Sequence, residues 1–533
     1  MTVSISGGWN FPTRVQFGPG VISGLPAACR ELGMTRPLLV TDEGLAELAM
    51  VRDAIASNAA DGLPTGLYAD VQGNPTLANV AGGVVAYRNG GYDGVIAFGG
   101  GSALDAAKTV ALMVAQDRSL WDFEDVDDNW MRVKTDGLAP VVAVPTTSGT
   151  GSEVGRSSVI TNEEMKVKKI IFHPSMLPAI VLSDPELTIS LPPHITAATG
   201  IDAFVHCFEA FCTEAYHPMA DGIALEGMRL IARALPRAYD DGADIEARAH
   251  MLTAATMGAT AFQKGLGGVH ALAHTIGAHF GVHHGLANAI FLPYVIQANR
   301  SAIADKVALI ARLLNLPRGD FDAFLDWVLH FRAQLGIPHT LAEIDLSEDL
   351  AEKMGALAYS DPVSGGNPVP LSIEDYVTIF RNAVLSLAHR HPFARPLVNS
   401  GRLSVPCVYD GLSLNGPDAL NGPATSRVGA TCSDAPLRDG FLLDVVGGVF
   451  TVLAINTDPP ALAEVGGVTV NTVTLNTQTD DPSGAIAARY LGDAPCGIYL
   501  IRPDQHAAAR MRHLSRERLQ AALDRALARA MEG

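Results

Sequence analysis

Between Arg36 and about Asp184, short apolar runs alternate with stretches of helical periodicity. PLLVT (37–41), GVIAF (94–98) and PVVAVP (140–145) are almost continuously apolar, as strands buried on both faces of a parallel sheet must be. The longer stretches between them supply crossover helices. After Pro192 the spacing changes: ITAATGIDAFVHCFEAFCTEA and GIALEGMRLIARALPRAY repeat apolar residues every three or four positions, so this half is expected to be all-helical. DPVSGGNPVP (361–370) and HRHPFARPLVNSG near residue 390 interrupt the helices with Pro, Gly and Asn, and the second predicts a domain boundary. Beyond it, FTVLAI (450–455), VTVNTVTL (468–475) and GIYLIRP (497–503) predict strands. A last helix should start at Ser515, with Leu519, Leu523 and Leu527 along one face. The pattern therefore divides into an α/β domain (1–190), an all-helical domain (191–390) and a further α/β domain (396–533), with no internal repeat.

A chain of 533 residues exceeds what one hydrophobic core organises, which agrees with several domains. Hydrophobic residues make up 48% and charged ones 18%, with 52 glycines, a balance that fits a glycine-turned α/β enzyme and not a disordered or fibrous chain. A net charge of -18 without any basic run argues against a nucleic acid partner, because phosphate binding needs clustered Lys and Arg. The six cysteines, at 29, 207, 212, 407, 432 and 496, have no CxxC spacing, so neither a disulfide framework nor a zinc finger is expected. MTVSISGGWNF lacks the basic start and apolar stretch of a signal peptide, and apolar runs fall short of the ~20 residues that span a bilayer. A soluble, cytoplasmic protein without a membrane partner is expected.

Candidate chemistry starts where strand GVIAF runs into Gly99, Gly100, Gly101 and Ser102 before the helix ALDAAKTVALMVA. Glycines there let a phosphate reach backbone N–H groups at a helix N-terminus. The same residues also suit a plain strand-to-helix turn, with Ser102 as N-cap and Asp105 completing a capping box. Strand PVVAVP is followed by Thr146, Thr147, Ser148, Gly149, Thr150, Gly151 and Ser152, five hydroxyls in seven positions, fit to bond a ribose or diphosphate. Two such loops at strand C-terminal ends imply one ligand cleft, although neither is the GxGxxG fingerprint. Asp42 ends strand PLLVT, where a carboxylate either accepts from the adenosine ribose hydroxyls and disfavours a 2′-phosphate, or caps the helix that follows.

In the helical half Asp202 and His206, four apart, share one face of an apolar helix. Farther on, five of the sixteen histidines, 270, 274, 279, 283 and 284, fall within fifteen residues. A buried carboxylate needs a partner. Neutral imidazoles with one carboxylate make a borderline nitrogen and oxygen site for Fe, Zn, Co or Ni.

The quoted segments, together with FGPG (17–20), NPT (74–76), GGGSALDAAK (99–108), PTTSGTGSE (145–153), Lys168, DPELT (184–188), GIDAFVHCFEA (200–210), GLGGVHALAHTIG from Gly265 and HHGLANA from His283, occur in one order. On these motifs the first ~390 residues resemble the iron-containing (group III) alcohol dehydrogenases, whose two domains are similar to those of dehydroquinate synthase and glycerol dehydrogenase. The resemblance implies an NAD-binding α/β domain, a dehydroquinate synthase-like helical domain, and one divalent ion, Fe(2+) or alternatively Zn(2+) or another metal. Its implied ligands are Asp202, His206, His270 and His284, the last chosen over His283 because it directly precedes Gly285. His274 matches the histidine near the nicotinamide. Asp42, Asn74, Gly99, Gly100, Gly101, Ser102, Thr146, Thr147, Thr150 and Lys168 match cofactor-binding positions. The implied chemistry is hydride transfer between a small alcohol or aldehyde and NAD in a homo-oligomer, with His274 passing the proton outward.

NSGRLSVPCVYDGLSLNGPD (399–418), SDAPLRDGFLLDVVGGVFTVLAI (433–455) and YLIRPDQHAAAR (499–510) resemble a different family. They are similar to the thioredoxin-like C-terminal domain of FAD-dependent aromatic monooxygenases of the phenol and hydroxyphenylpropionate hydroxylase type. Without CxxC no thiol–disulfide chemistry is expected, and without those enzymes' N-terminal GxGxxG unit no FAD. The combination implies a fusion protein in a catabolic setting. Two alternatives remain at this point: a non-redox metal lyase of the dehydroquinate synthase kind, which would never release NADH, and a scaffold whose C-terminal module binds a hydroxylase.

Overall fold

PLLV, GVIAFG, VVAVP and IVLS are buried at every position, because helices cover both faces of the sheet they build. In this computed structural model the residues described are 11, 13–384, and 408–528 apart from 410, 413, 421, 439, 447, 461 and 462. MTVSISGGWN and HRHPFARPLVNSG lie outside them. The chain separates into two compact units, Met1–Gly401 and Arg402–Gly533.

The strands of the first unit are β1 (Arg14–Phe17), β2 (Pro37–Val40), β3 (Gly66–Tyr68), β4 (Gly94–Gly99), β5 (Val141–Pro145), β6 (Ser157–Asn162), β7 (Val167–Phe172) and β8 (Ile180–Ser183). Six of them form a parallel sheet in the order β1-β8-β5-β4-β2-β3. The intervening helices are α1 (Leu25–Glu31), α2 (Glu43–Ala46), α3 (Ala49–Ala60), α4 (Leu77–Gly90) and α5 (Gly101–Met113). Side chains alternate across the strands, so Leu39, Ile96, Phe98 and Val142 pack with α1 and α3 residues Leu25 and Val51. Leu38, Val95, Ala97 and Ala143 face the opposite layer with Leu104 and Ala107 of α5. Because β2, β4 and β5 are neighbours, the loops after all three open at one edge, where ligands bind in such sheets. β6 and β7 make an antiparallel hairpin that pairs Thr161 with Lys168.

The helices after Pro192 are α6 (Pro193–Cys212), α7 (Pro218–Asp240), α8 (Ile245–Ala261), α9 (Gly268–Phe280), α10 (His284–Ala298), α11 (Arg300–Leu313), α12 (Phe321–Gln334), α13 (Ala351–Tyr359) and α14 (Ile373–Val384). α6 is the core helix. Its 20 residues are long and apolar enough to cross a membrane by composition, contrary to the sequence expectation, but 94% of that window is buried inside the fold. Phe204 of α6 anchors an aromatic cluster with Phe324, Trp327 and Phe331 at centroid distances of 6.4, 5.5 and 6.4 Å. Its C-terminal carbonyls are closed by Lys306, whose Nζ donates to Phe211 O (2.9 Å), Cys212 O (3.1 Å) and Thr213 O (2.9 Å).

Two local expectations need correction. α5 begins at Gly101 with Gly100 as N-cap and no side-chain cap. Ser102 is therefore already inside the first turn, and the Asp105 carboxylate instead accepts from Ser152 Oγ and from Val159 N of β6 (2.9 Å). Leu527 falls just past the final helix and is exposed, unlike Leu519 and Leu523.

The second unit is itself α/β. β9 (Phe450–Ile455), β10 (Glu464–Val465), β11 (Val468–Leu475), β12 (Gly497–Ile501) and β13 (Ala507–Met511) form a five-stranded mixed sheet in the order β10-β11-β9-β12-β13. α15 (Leu442–Val445) precedes the sheet and α16 (Arg516–Ala526) follows it, with Ser515 Oγ accepting from Arg518 N (3.3 Å) as predicted. Cys29, Cys207, Cys212, Cys432 and Cys496 are all free thiols.

Candidate metal centre and cofactor cleft

Three helices bring the centre together. One turn apart on α6, Asp202 and His206 project from the same face; α9 brings His270 and His274, and α10 starts at His284. The Nε2 atoms of His206, His270 and His284 lie 3.9, 3.9 and 3.6 Å from Asp202 Oδ1. One ligand atom from each of the four residues fits within 4.8 Å of all the others. Donors about 2.0–2.2 Å from a tetrahedral ion stand roughly 3.3–3.6 Å apart, so a small contraction seats a cation. Burial pushes the His206 imidazole down to about 4 against the attraction of Asp202, and burial with Lys168 nearby holds His284 well below its ordinary value. Neutral imidazole lone pairs and a carboxylate oxygen thus face one another, a set of acceptors that calls for a positive charge. The donor chemistry fits iron or another borderline divalent metal.

Further side chains, which the sequence reading missed, complete the surroundings. Asn288, one turn after His284, places Nδ2 2.7 Å from Asp202 Oδ1 and 3.2 Å from both His270 Nε2 and His284 Nε2. Glu209 Oε2 lies 2.6 Å from His270 Nδ1. Asp361 Oδ2 lies 3.0 Å from His274 Nδ1, while its Oδ1 accepts from Val363 N (3.0 Å). Spacing signals existed for Asn288 and Glu209, which continue ligand-bearing helix faces. None existed for Asp361, which opens the Pro- and Gly-rich break. His279 bonds Thr275 O (3.1 Å), and neither it nor His283 belongs to the four-residue cluster.

A cavity of about 190 Å³ joins this centre to the sheet edge. Asn74, Gly101, Ser102, Thr150 and Lys168 line it together with His206, His270, His274 and His284. Asp42, Gly99, Gly100, Thr146 and Thr147 are not in its wall but occupy the adjoining strand ends. The two glycine and threonine loops press together: a Cβ at Gly101 would meet Thr150 Cγ2 at 2.5 Å, and one at Gly99, whose φ is +143°, would meet Ala103 Cβ at 2.7 Å. Thr146 N donates to Gly99 O (3.0 Å). Asp42 Oδ1 caps α2 by accepting from Leu45 N (2.9 Å), one of the two roles its position suggested. Lys168 is pushed down to about 8 by burial, against the opposing pull of Asp202, Asp105 and Asp361.

Two other cavities adjoin. One of about 460 Å³ shares Gly155, Ser157, Ile170, Phe262, Leu266 and Val363 with the first, and adds Arg156, Thr260 and Asp125. The Arg156 guanidinium stacks 5.4 Å from the centroid of Phe172, and burial raises the Asp125 carboxyl. The other, of about 200 Å³, has His274, Lys168 and Asp361 in its wall.

Residues 12–185 match the family "Iron-containing alcohol dehydrogenase", and residues 196–384 match "Fe-containing alcohol dehydrogenase family, C-terminal". The chain is 39% identical over 375 residues to 4-hydroxybutyrate dehydrogenase of Cupriavidus necator, a match covering 68% of this chain and 96% of that protein. Its fold is similar to alcohol dehydrogenase from Oenococcus oeni, with a TM-score of 0.67 and 32% identity over 70% of this chain and all of the other. A third similarity is to sulfoacetaldehyde reductase from Bifidobacterium kashiwanohense, solved in complex with NAD+, with a TM-score of 0.64 and 27% identity over 71% of this chain and 99% of that one. Over residues 12–384, which hold both the sheet-edge cleft and the histidine cluster, the chain belongs to the iron-containing alcohol dehydrogenase family and is an alcohol dehydrogenase.

Proposed function

We propose that this enzyme interconverts short ω-hydroxy acids and their aldehydes, using NAD and one divalent metal held by Asp202, His206, His270 and His284. The convergence of three imidazole nitrogens on Asp202 Oδ1 carries the metal assignment. Iron held by these four residues would supply Lewis acidity toward an alcohol hydroxyl or an aldehyde carbonyl. Bound NAD would supply the hydride acceptor for alcohol oxidation. The Gly99–Gly101 turn and the N-terminus of α5 receive the diphosphate, Asn74, Ser102, Thr146, Thr147 and Thr150 offer hydrogen bonds to it and to the riboses, and Lys168 adds a positive charge. Asp42 keeps one carboxylate oxygen for a ribose hydroxyl and repels a 2′-phosphate, which favours NAD. His274, with Nδ1 held by Asp361, accepts the alcohol proton at Nε2 and passes it outward.

The substrate class rests on the neighbouring 460 Å³ cavity, where Arg156 offers a guanidinium to a carboxylate, and on likeness to a 4-hydroxybutyrate dehydrogenase. NADH formation by anaerobically purified, iron-loaded enzyme from 4-hydroxybutyrate, 1-butanol and 4-aminobutanol tests it. A kcat/KM for 4-hydroxybutyrate at least tenfold above that for butanol is expected, and R156Q should raise KM for the acid alone. Equal values for acid and butanol would remove the carboxylate assignment, and a preference for the amine would transfer the anchoring role to Asp125.

The domain scheme proposed is an NAD-binding domain to about residue 190, a helical metal-binding domain to about 390 and a separate module from 396. The mixed sheet of the second unit with its trailing helix supports reading that module as thioredoxin-like, serving association and not redox chemistry. The acidic charge of -18 supports a partner set without nucleic acid, and a homo-oligomer acting in the cytoplasm without a membrane partner is proposed beside it.

A further inference from the structure

Glu209 follows Asp202 and His206 along α6, buried at 5% exposure, with an unusual set of partners. Its Oε1 accepts from Val269 N at 2.7 Å, and its Oε2 accepts from Gly267 N at 3.0 Å and meets His270 Nδ1 at 2.6 Å. Both backbone donors belong to the open start of α9, whose N-cap is Gly267, where free N–H groups and the positive helix end hold an anion. A Cβ at Gly267 would stand 3.2 Å from Glu209 Oε1 and 2.9 Å from Asn367 Oδ1, so the absent side chain is what lets the carboxylate approach. The carboxylate is thus anchored independently of the histidine.

An anchored carboxylate only accepts, so His270 Nδ1 carries the hydrogen and Nε2 presents its lone pair. Nε2 is the atom that faces Asp202 Oδ1 at 3.9 Å. We infer that Glu209 is a positioning residue for the metal centre: it sets the tautomer and ring orientation of His270 and ties the ligand pair of α6 to the ligand of α9. The inference rests on the reading that Asp202, His206, His270 and His284 hold the metal. A carboxylate behind a ligating imidazole also raises that ligand's basicity.

The test is Co2+ binding to the full, metal-free chain, followed by chelator competition and by the visible absorption of the bound ion. In E209Q either amide orientation weakens the support of His270: an NH2 in place of Oε2 opposes both Gly267 N and His270 Nδ1, and the flipped amide leaves only a neutral oxygen there while its NH2 opposes Val269 N. Affinity should fall on the order of 10–100-fold, with a changed Co2+ spectrum, while the NAD dissociation constant stays close to wild type. Wild-type affinity and spectrum in E209Q overturn the inference, whatever happens to its melting. Should E209Q fail to fold, E209D withdraws the acceptor from His270 by one methylene, and wild-type affinity in folded E209D overturns it equally. D202N separates this from the underlying assignment: if wild type binds one Co2+ and D202N none, only the E209Q result judges Glu209. If wild type binds none, or D202N binds as wild type does, the ligand assignment falls and this inference with it.

Discussion

Replacing Arg332 by methionine tests how the helix that begins with His284 is supported. Pro293 lies within α10 and has no N–H, so the carbonyl four residues earlier, Ala289 O, has no helical partner. Arg332 of α12, 1% exposed, fills that gap: its Nη1 donates to Ala289 O at 2.9 Å and to Ile290 O at 3.0 Å. Burying a guanidinium is itself unfavourable, and exchanging a buried ion pair for hydrophobic residues is often neutral. Here the partners are backbone carbonyls that methionine cannot satisfy, so the sign should be destabilising. An orphaned buried carbonyl costs about 1–3 kcal/mol. Taking roughly 2–4 °C per kcal/mol for a domain of this size, the metal-free melting midpoint should drop by about 2–12 °C. Circular dichroism melts of wild type, R332K and R332M measure it, with R332K in between because one ammonium reaches the same carbonyl. An unchanged or higher midpoint in R332M would show that Ala289 O needs no partner from α12 and would refute the reasoning.

Lys108 is fully buried, with Nζ 3.0 Å from Ser152 O and 3.3 Å from Asp105 Oδ1, so it fastens the threonine loop to α5. K108M should lose on the order of 3–5 kcal/mol by leaving Asp105 uncompensated, and should weaken NAD binding in fluorescence titration; wild-type values for both would remove that role. Burial holds the folded-state pKa of His206 at about 4, below the ordinary 6.5. Between those values the unfolded chain binds the proton and the folded chain does not. Metal-free stability should therefore be level above pH 6.5 and fall, by about 3 kcal/mol, as pH drops toward 4. The acid slope should flatten in H206Q, and an identical slope would count against a neutral buried His206. D361N keeps an acceptor for Val363 N but turns a donor toward His274 Nδ1. Its kcat should fall on the order of 10–100-fold with metal content and NAD affinity unchanged; a wild-type kcat would detach Asp361 from the proton path.

What could be seen in the chain beforehand depended on how far each contact reaches. β4, β9 and β11 coincide with their apolar or alternating runs to within a residue, because burial dictates composition position by position along a strand. Asp202 and His206 were visible as a pair for the same reason, since four residues of helix bring them onto one face. The capping box at Ser102 and Asp105 obeyed a local rule and failed, because Asp105 found a stronger set of donors in Ser152 and Val159. Glu209, Asn288 and Asp361 belong to the opposite case. Each acts on a histidine or aspartate brought near by tertiary packing: Glu209 and His270 are 61 positions apart, Asn288 and Asp202 86, and Asp361 and His274 87. Helix spacing puts Glu209 and Asn288 on the faces of His206 and His284 but does not tell which distant residue each will meet, and Asp361 lacks even that signal, sitting in a segment whose Pro and Gly suggested only an interruption. Residue type marks the histidine-rich segment and the Asp202–His206 pair, and the family resemblance picks the four candidate ligands out of them, whereas the groups that orient them look like ordinary polar positions until the helices are packed. The tautomer of His270 and the orientation of His274 are consequently properties of the fold, and substitutions at Glu209 and Asp361 probe the chemistry without touching a ligand.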